Sequence, residues 1–157
     1  MNKITAGTAL LQPAGRRKIA PSEPHESRRQ TPPPQPATLW NAWLSRFAKV
    51  EQFSADLTQV AERIRTRARI ADPVEGRRLQ DQYLNLWMEL LETFDAAAGS
   101  EVVDALRRDY LAYLNLRVGL IRALIRRCLA PSDTTVTQVE SAMQAQQDFI
   151  AARRRRT

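Results

Sequence analysis

The chain holds one cysteine, one histidine and five glycines in 157 residues, and each scarcity removes a class of function. A lone cysteine, Cys128, forms no internal disulfide, so the fold does not depend on an oxidising compartment. His25, the only histidine, lies in a Pro-rich stretch with no core around it, which leaves no rigid base for a Ser-His-Asp arrangement and no zinc or haem spacing. No strand pattern or internal repeat is present, so no Gly-rich phosphate loop follows a strand. Paired carboxylates such as Glu89 and Glu92, or Asp104 and Asp109, read as solvated helix faces. The expectation is a protein that is not an enzyme, with no catalytic residue, no metal and no cofactor.

Long apolar runs are missing too. The best stretch, Tyr110 to Leu129, is broken by Arg117, Arg122, Arg126 and Arg127, well short of the roughly 18 uninterrupted residues of a membrane span. The segment Ala6 to Gln12 is short and is followed, not preceded, by the basic cluster Arg16–Lys18, the wrong order for a signal peptide. These features predict a cytoplasmic protein with no transmembrane segment.

What the chain does have is charge at its ends. Residues 1–37 carry six basic side chains (Lys3, Arg16, Arg17, Lys18, Arg28, Arg29) against Glu23 and Glu26, and the last five residues add Arg153, Arg154, Arg155 and Arg156. That leaves 14 basic against 15 acidic side chains over residues 38–152, so the net +7 belongs to the ends. Seven of the nine prolines fall in residues 13–36 among Ser, Thr and Gln, a composition that buries too little surface to offset the entropy of ordering. The domain reading is therefore a disordered basic arm over 1–37, a helical domain over 38–152 and a basic tail over 153–157. The run Thr31–Pro36 favours an extended polyproline spacer.

The middle is all-α, an antiparallel helical hairpin or a small bundle of about four helices. Thr38 is placed to cap a long first helix in which Trp40, Trp43, Phe47, Val50, Leu57, Ala61 and Ile64 recur three and four apart, with Ser54 as the one polar entry and Asp72-Pro73 as its end. A second helix follows Pro73, burying Leu79, Tyr83, Leu86, Trp87, Leu90, Leu91, Phe94 and Ala97 and stopping at Gly99. A third, capped by Ser100, carries two apolar stripes, one through Val103, Leu106, Tyr110, Tyr113, Leu124 and Cys128 and another through Leu111, Leu114, Val118, Ile121 and Ile125. Gly119 within it is the expected point of close helix approach. Thr135 with Gln138 offers a capping box for a fourth helix whose face, Val136, Val139, Met143 and Ile150, is thin, placing it on the rim or against another chain.

Binding is thus a better expectation than chemistry, and three features bear on it. Trp40, Trp43 and Phe47, at the start of the first helix, and Met143, Phe149 and Ile150, on the weak last one, are the expected partner-binding residues. The alternative is a nucleic-acid clamp made of Arg16, Arg17, Lys18, Arg28 and Arg29 with Arg153, Arg154, Arg155 and Arg156, salt-sensitive and sequence-blind. The cluster Arg63, Arg65, Arg67, Arg69 makes no single stripe on a helix and interleaves with no aromatic, which argues against a groove-reading helix or a stacking platform. Self-association through the helices is a third possibility. Cys128 reads as a packing thiol.

The Trp-x-x-Trp opening at Trp40 and Trp43 and the long helix from Asp109-Tyr110-Leu111-Ala112-Tyr113-Leu114-Asn115 to Leu129-Ala130-Pro131, before a final helix with Val139, resemble bacterial polyhydroxyalkanoate-associated proteins. These are the non-catalytic partner subunit of the two-component polyester synthase and, more loosely, the phasins. The resemblance implies an accessory role, binding a catalytic subunit or a polyester granule, with no active-site residues to carry across.

Overall fold

A computed structural model describes residues 36–100 and 102–156, and among them the architecture is all-helical. The elements are α1 (Pro36–Phe53), α2 (Leu57–Thr66), α3 (Pro73–Leu79), a π-helical turn (Gln80–Leu84), α4 (Asn85–Ala98), α5 (Asp104–Leu129) and α6 (Asp133–Arg154). Six α-helices replace the expected four because one predicted helix breaks and another carries a π turn. The arm, with Arg16, Arg17, Lys18, Arg28 and Arg29, lies outside the described residues.

The single long first helix is corrected to α1 and α2. Its one polar position, Ser54, sits in the break, fully buried, where its hydroxyl accepts the indole N–H of Trp87 at 3.0 Å. Two residues on, both carboxylate oxygens of Asp56 accept the Tyr83 hydroxyl, at 2.9 and 3.1 Å. A straight helix would present these two groups at fixed angles; the short turn lets both reach the second rod. α2 then ends at Thr66, and Arg67 is extended, so Asp72 does not end it but opens the next helix. The Asp72 side chain accepts from the Glu75 backbone N–H at 3.0 Å with Pro73 at the first helical position.

From Pro73 to Ala98 the backbone is one continuous helical rod interrupted by the π turn. Leu79, Tyr83, Trp87, Leu90, Phe94 and Ala97 are buried along it, with Leu86 and Leu91 half-buried, as the periodicity predicts. Gly99 ends it at φ 51°, a conformation in which a Cβ would be strained.

The expected Ser100 cap is not used. Val102 turns into the core, Val102 and Val103 stay outside the helix, and α5 starts at Asp104 without a side-chain cap. The expected capping box also moves one turn earlier: Ser132 and Thr135 form it, with Thr135 as the third helical residue of α6 and not its cap. Nor does Gly119 mark a close approach, since a Cβ there would meet nothing within 4 Å. That role falls to Gly76, where a Cβ would lie 3.2 Å from the Leu129 side chain.

α5 is the central element. It packs against α2, α3, α4 and α6, while α1 lies along α4 and α6 also touches α2. Trp87, Phe94, Leu57, Ile64, Leu79, Leu90, Leu114, Ile121, Leu124 and Val139 are fully buried between them. α5 packs on more than one side, as expected, but not through the two stripes alone: Val103 is exposed, while Leu120 and Ala123, outside both stripes, are buried, Leu120 beside Met143 and Gln146 of α6. No helix among the described residues is long and apolar enough to cross a membrane.

Candidate partner-binding cavity

The aromatic start of α1 forms a ladder. Trp40 stacks on Trp43 and Trp43 on Phe47, with centroids 5.3 and 5.4 Å apart, because positions 40, 43 and 47 share one helix face. Tyr110 of α5 meets all three rings edge-on at 5.6, 5.4 and 5.3 Å, the geometry in which ring edges face π clouds. Trp43 is core: only 4 % exposed, it donates its indole N–H to the Leu90 carbonyl at 3.1 Å. Trp40 and Phe47 are half-buried at the two ends of the ladder.

Beyond Phe47 the ladder opens into a cavity of about 340 Å³ lined by Phe47, Glu51, Tyr110, Tyr113, Phe149, Ile150, Arg153 and Arg154. Three helices build it. The i, i+4 pair Phe47 and Glu51 comes from α1, Tyr110 and Tyr113 from α5, and the remainder from the last two turns of α6. Phe149 lies 6.0 Å from Tyr113, which closes the aromatic wall. The wall is apolar, and the two arginines that line it stand at the C-terminal end of α6, where cations suit the helix dipole.

Behind the wall a polar network holds the tyrosine. Tyr113 donates its hydroxyl to Glu51 Oε1 at 2.6 Å, Arg117 Nη2 donates to the same oxygen at 2.6 Å, and Arg117 Nε donates to the Tyr113 hydroxyl at 2.9 Å. The Arg117 guanidinium lies over the rings of Trp87 and Tyr113, 5.3 and 5.2 Å from their centroids. Arg117 is 6 % exposed, so its charge is compensated by Glu51 and by two π faces rather than by water. Burial pushes the Tyr113 hydroxyl well above its ordinary range, and the bond to Glu51 adds to the shift, so the phenol stays a donor.

The structure brings together residues the sequence placed in separate groups. Phe47 from the first helix, Phe149 and Ile150 from the last, and Arg153 and Arg154 from the basic tail share one cavity. Met143 lies apart, beside a smaller cavity of about 60 Å³ that also touches Ile150 and the buried Gln146. Arg153 and Arg154 belong to α6, so the expected tail boundary at residue 153 is two residues early; Arg155 and Arg156 follow the helix and are exposed. Glu51, Tyr113 and Arg117 carry the network, but sequence reading took Tyr113 only as a packing residue of an apolar stripe, Arg117 only as an interruption in an apolar run, and did not single out Glu51. The available signal for Arg117 was its position between Leu114, Val118 and Ile121, where an arginine faces the core only when an acidic partner meets it.

The other features are structural. Arg63 pairs with Glu75 at 3.1 Å, Arg65 with Glu62 and Glu140, Arg67 with Asp72 at 2.7 Å, and Arg69 with Asp133, so the cluster ties α2 and the segment after it to α3 and α6. Cys128 is 3 % exposed, and burial pushes its thiol up, with Glu75 and Asp72 adding to the effect. It is a protonated packing group. No cluster of three or more metal-ligating side chains occurs among the described residues. Comparisons with protein-family models, with curated proteins and with solved structures find no match to this chain.

Proposed function

We propose that this chain is a non-catalytic accessory protein of the cytoplasm that binds a protein partner, with an apolar anchor side chain of that partner seated in the cavity between α1, α5 and α6. One observation carries the reading: residues from three helices, separated by about a hundred positions in sequence, converge on one aromatic-lined cavity with arginines at its edge. Such a pocket suits an aromatic or branched aliphatic side chain, the usual hot-spot anchor, flanked by acidic residues that meet the arginine run. The resemblance of the helical segments to polyester-synthase partner subunits and phasins makes a polyhydroxyalkanoate synthase, or a granule-bound protein, the first partner to try.

The test is affinity purification of the tagged full chain from its native cells, after nuclease and at high salt, in parallel with an Ile150→Asp variant. Ile150 is half-buried, and circular dichroism checks that the variant is folded. A discrete protein recovered with the native chain and lost with the variant is the expected result. Equal recovery with both removes the cavity from the reading.

The nucleic-acid reading keeps one supporting observation, which the sequence alone did not offer. Arg153 and Arg154 line the same cavity as Phe47, Tyr110 and Tyr113, a combination of arginines and aromatic rings that single-strand binders use. It predicts retention of single-stranded nucleic acid that falls steeply with salt and with removal of residues 153–157.

A further inference from the structure

A second surface, on the opposite flank of α1 from Glu51, is built from two walls of opposite charge. α1 and α4 run antiparallel, fixed by the Trp43–Leu90 hydrogen bond, the Arg46–Glu89 ion pair at 2.5 Å and the Trp40–Phe94 ring contact at 6.1 Å. Between them runs a groove of about 700 Å³ lined on α1 by Leu39, Ala42, Arg46 and Lys49 and on α4 by Glu89, Thr93, Ala96 and Ala97. It follows α1 for about three turns, roughly 16 Å.

The charge is segregated by wall. On the groove side α1 presents Arg46 and Lys49 and no acidic residue, since Glu51 turns to the other cavity. α4 carries Glu89, Glu92 and Asp95 and no basic residue. Lys49 lines the groove without an ion pair among the described residues, and Glu92 lies on the exposed side of α4 next to the acidic wall. The shape is segregated in the same way. Leu39 is 39 % exposed and projects at one end of α1, and the α4 wall at that same end is Ala96 and Ala97.

We propose that this groove receives a second copy of the same chain, in a two-fold dimer whose axis runs along the groove. That axis keeps each residue at its level and exchanges the walls, laying α1 of one copy over α4 of the other. Leu39 then fills the shallow stretch at Ala96 and Ala97, and the Lys49 side chain of each copy reaches Glu89 of the other from one turn along. Both relationships occur twice by symmetry, which is what an isologous interface requires. An in-plane axis across the groove would instead set basic wall on basic wall and acidic on acidic, and is disfavoured. A foreign helix would have to supply both charges in the right order, whereas a second copy does so automatically.

The test is the mass of the full chain in solution by light scattering after size exclusion, across tens to hundreds of micromolar. The native protein is expected to move from 17.9 kDa towards twice that mass as concentration rises. Lys49→Glu and Glu89→Lys, each on an exposed side chain, are expected to weaken self-association about tenfold or more. Mixed together they pair again, because Lys49 of one variant meets Glu89 of the other and the two substituted side chains meet as an inverted pair. Leu39→Glu blocks association with no charge-reversed mate. Circular dichroism confirms that each variant is folded. A native chain that stays at 17.9 kDa overturns the proposal and leaves the groove to another protein; a dimer unmoved by these variants, or variants that fail to pair on mixing, overturns it equally.

Discussion

The indole N–H of Trp87 donates to the hydroxyl of Ser54, 3.0 Å away and buried with it. This bond is why the first stretch of helical sequence becomes two helices. A fully buried indole needs an acceptor, and the only side chain of the α1–α2 seam able to supply one is its single polar member. Replacing Ser54 with Ala strands the Trp87 donor and is expected to destabilise the protein by about 1–3 kcal/mol, read as a lower midpoint in urea at unchanged slope.

The pairing of Arg117 with Glu51 makes a second prediction. Arg117 is buried while Glu51 keeps 35 % of its side chain in solvent, so Glu51→Leu, which leaves the guanidinium unpaired in a dry site, is expected to cost about 3–5 kcal/mol, and Arg117→Met distinctly less. Removing both is milder, and Glu51→Leu combined with Arg117→Met should recover much of that loss. A double-mutant cycle in chemical denaturation measures the coupling, and simple additivity of the two losses would show that the pair does not act as a unit.

Tyr113 contributes to the loss of stability at alkaline pH. Its hydroxyl is held above the ordinary value of 10 by burial first and by its bond to Glu51 next. The unfolded chain therefore loses that proton at a lower pH than the folded one. The stabilisation is complete below pH 10 and is lost as pH climbs from there towards the folded value. Thermal melts at pH 8, 10 and 11 should show a falling midpoint in the native chain, and Tyr113→Phe should shrink that fall while lowering stability at neutral pH through loss of the Glu51 and Arg117 bonds.

Local pattern made the rod from Pro73 to Ala98 readable: Leu79, Tyr83, Trp87, Leu90 and Phe94 recur at helical spacing, and nearly all of that stripe is buried. Pattern failed where a distant residue decides. The break at Ser54 depends on Trp87, and the Glu51–Arg117 pair on residues 66 apart. The cap at Ser132 was a near miss of another kind, since Ser132 and Thr135 are both capping residues and only the backbone decides which leads. The candidate cavity was half legible. Phe47, Phe149 and Ile150 stood out as apolar residues on suspect helices, but no periodicity within one helix shows that two helices meet.

The tryptophans should separate under substitution. Trp43 is buried, stacked on both sides and hydrogen-bonded to Leu90, so Trp43→Ala is expected to cost about 3–5 kcal/mol and to loosen the α1–α4 contact. Trp40 is half-buried at the end of the ladder and bonds to nothing through its indole among the described residues, so Trp40→Ala should cost distinctly less. Denaturation of the two single variants, followed by fluorescence of the remaining tryptophans, checks the order. Equal costs would mean that Trp40 is as deeply held as Trp43, and the first turns of α1 would then be unavailable to any partner or second copy without unfolding. A clear difference leaves α1 anchored by Trp43 and free to present Leu39 and Trp40 from a stable base.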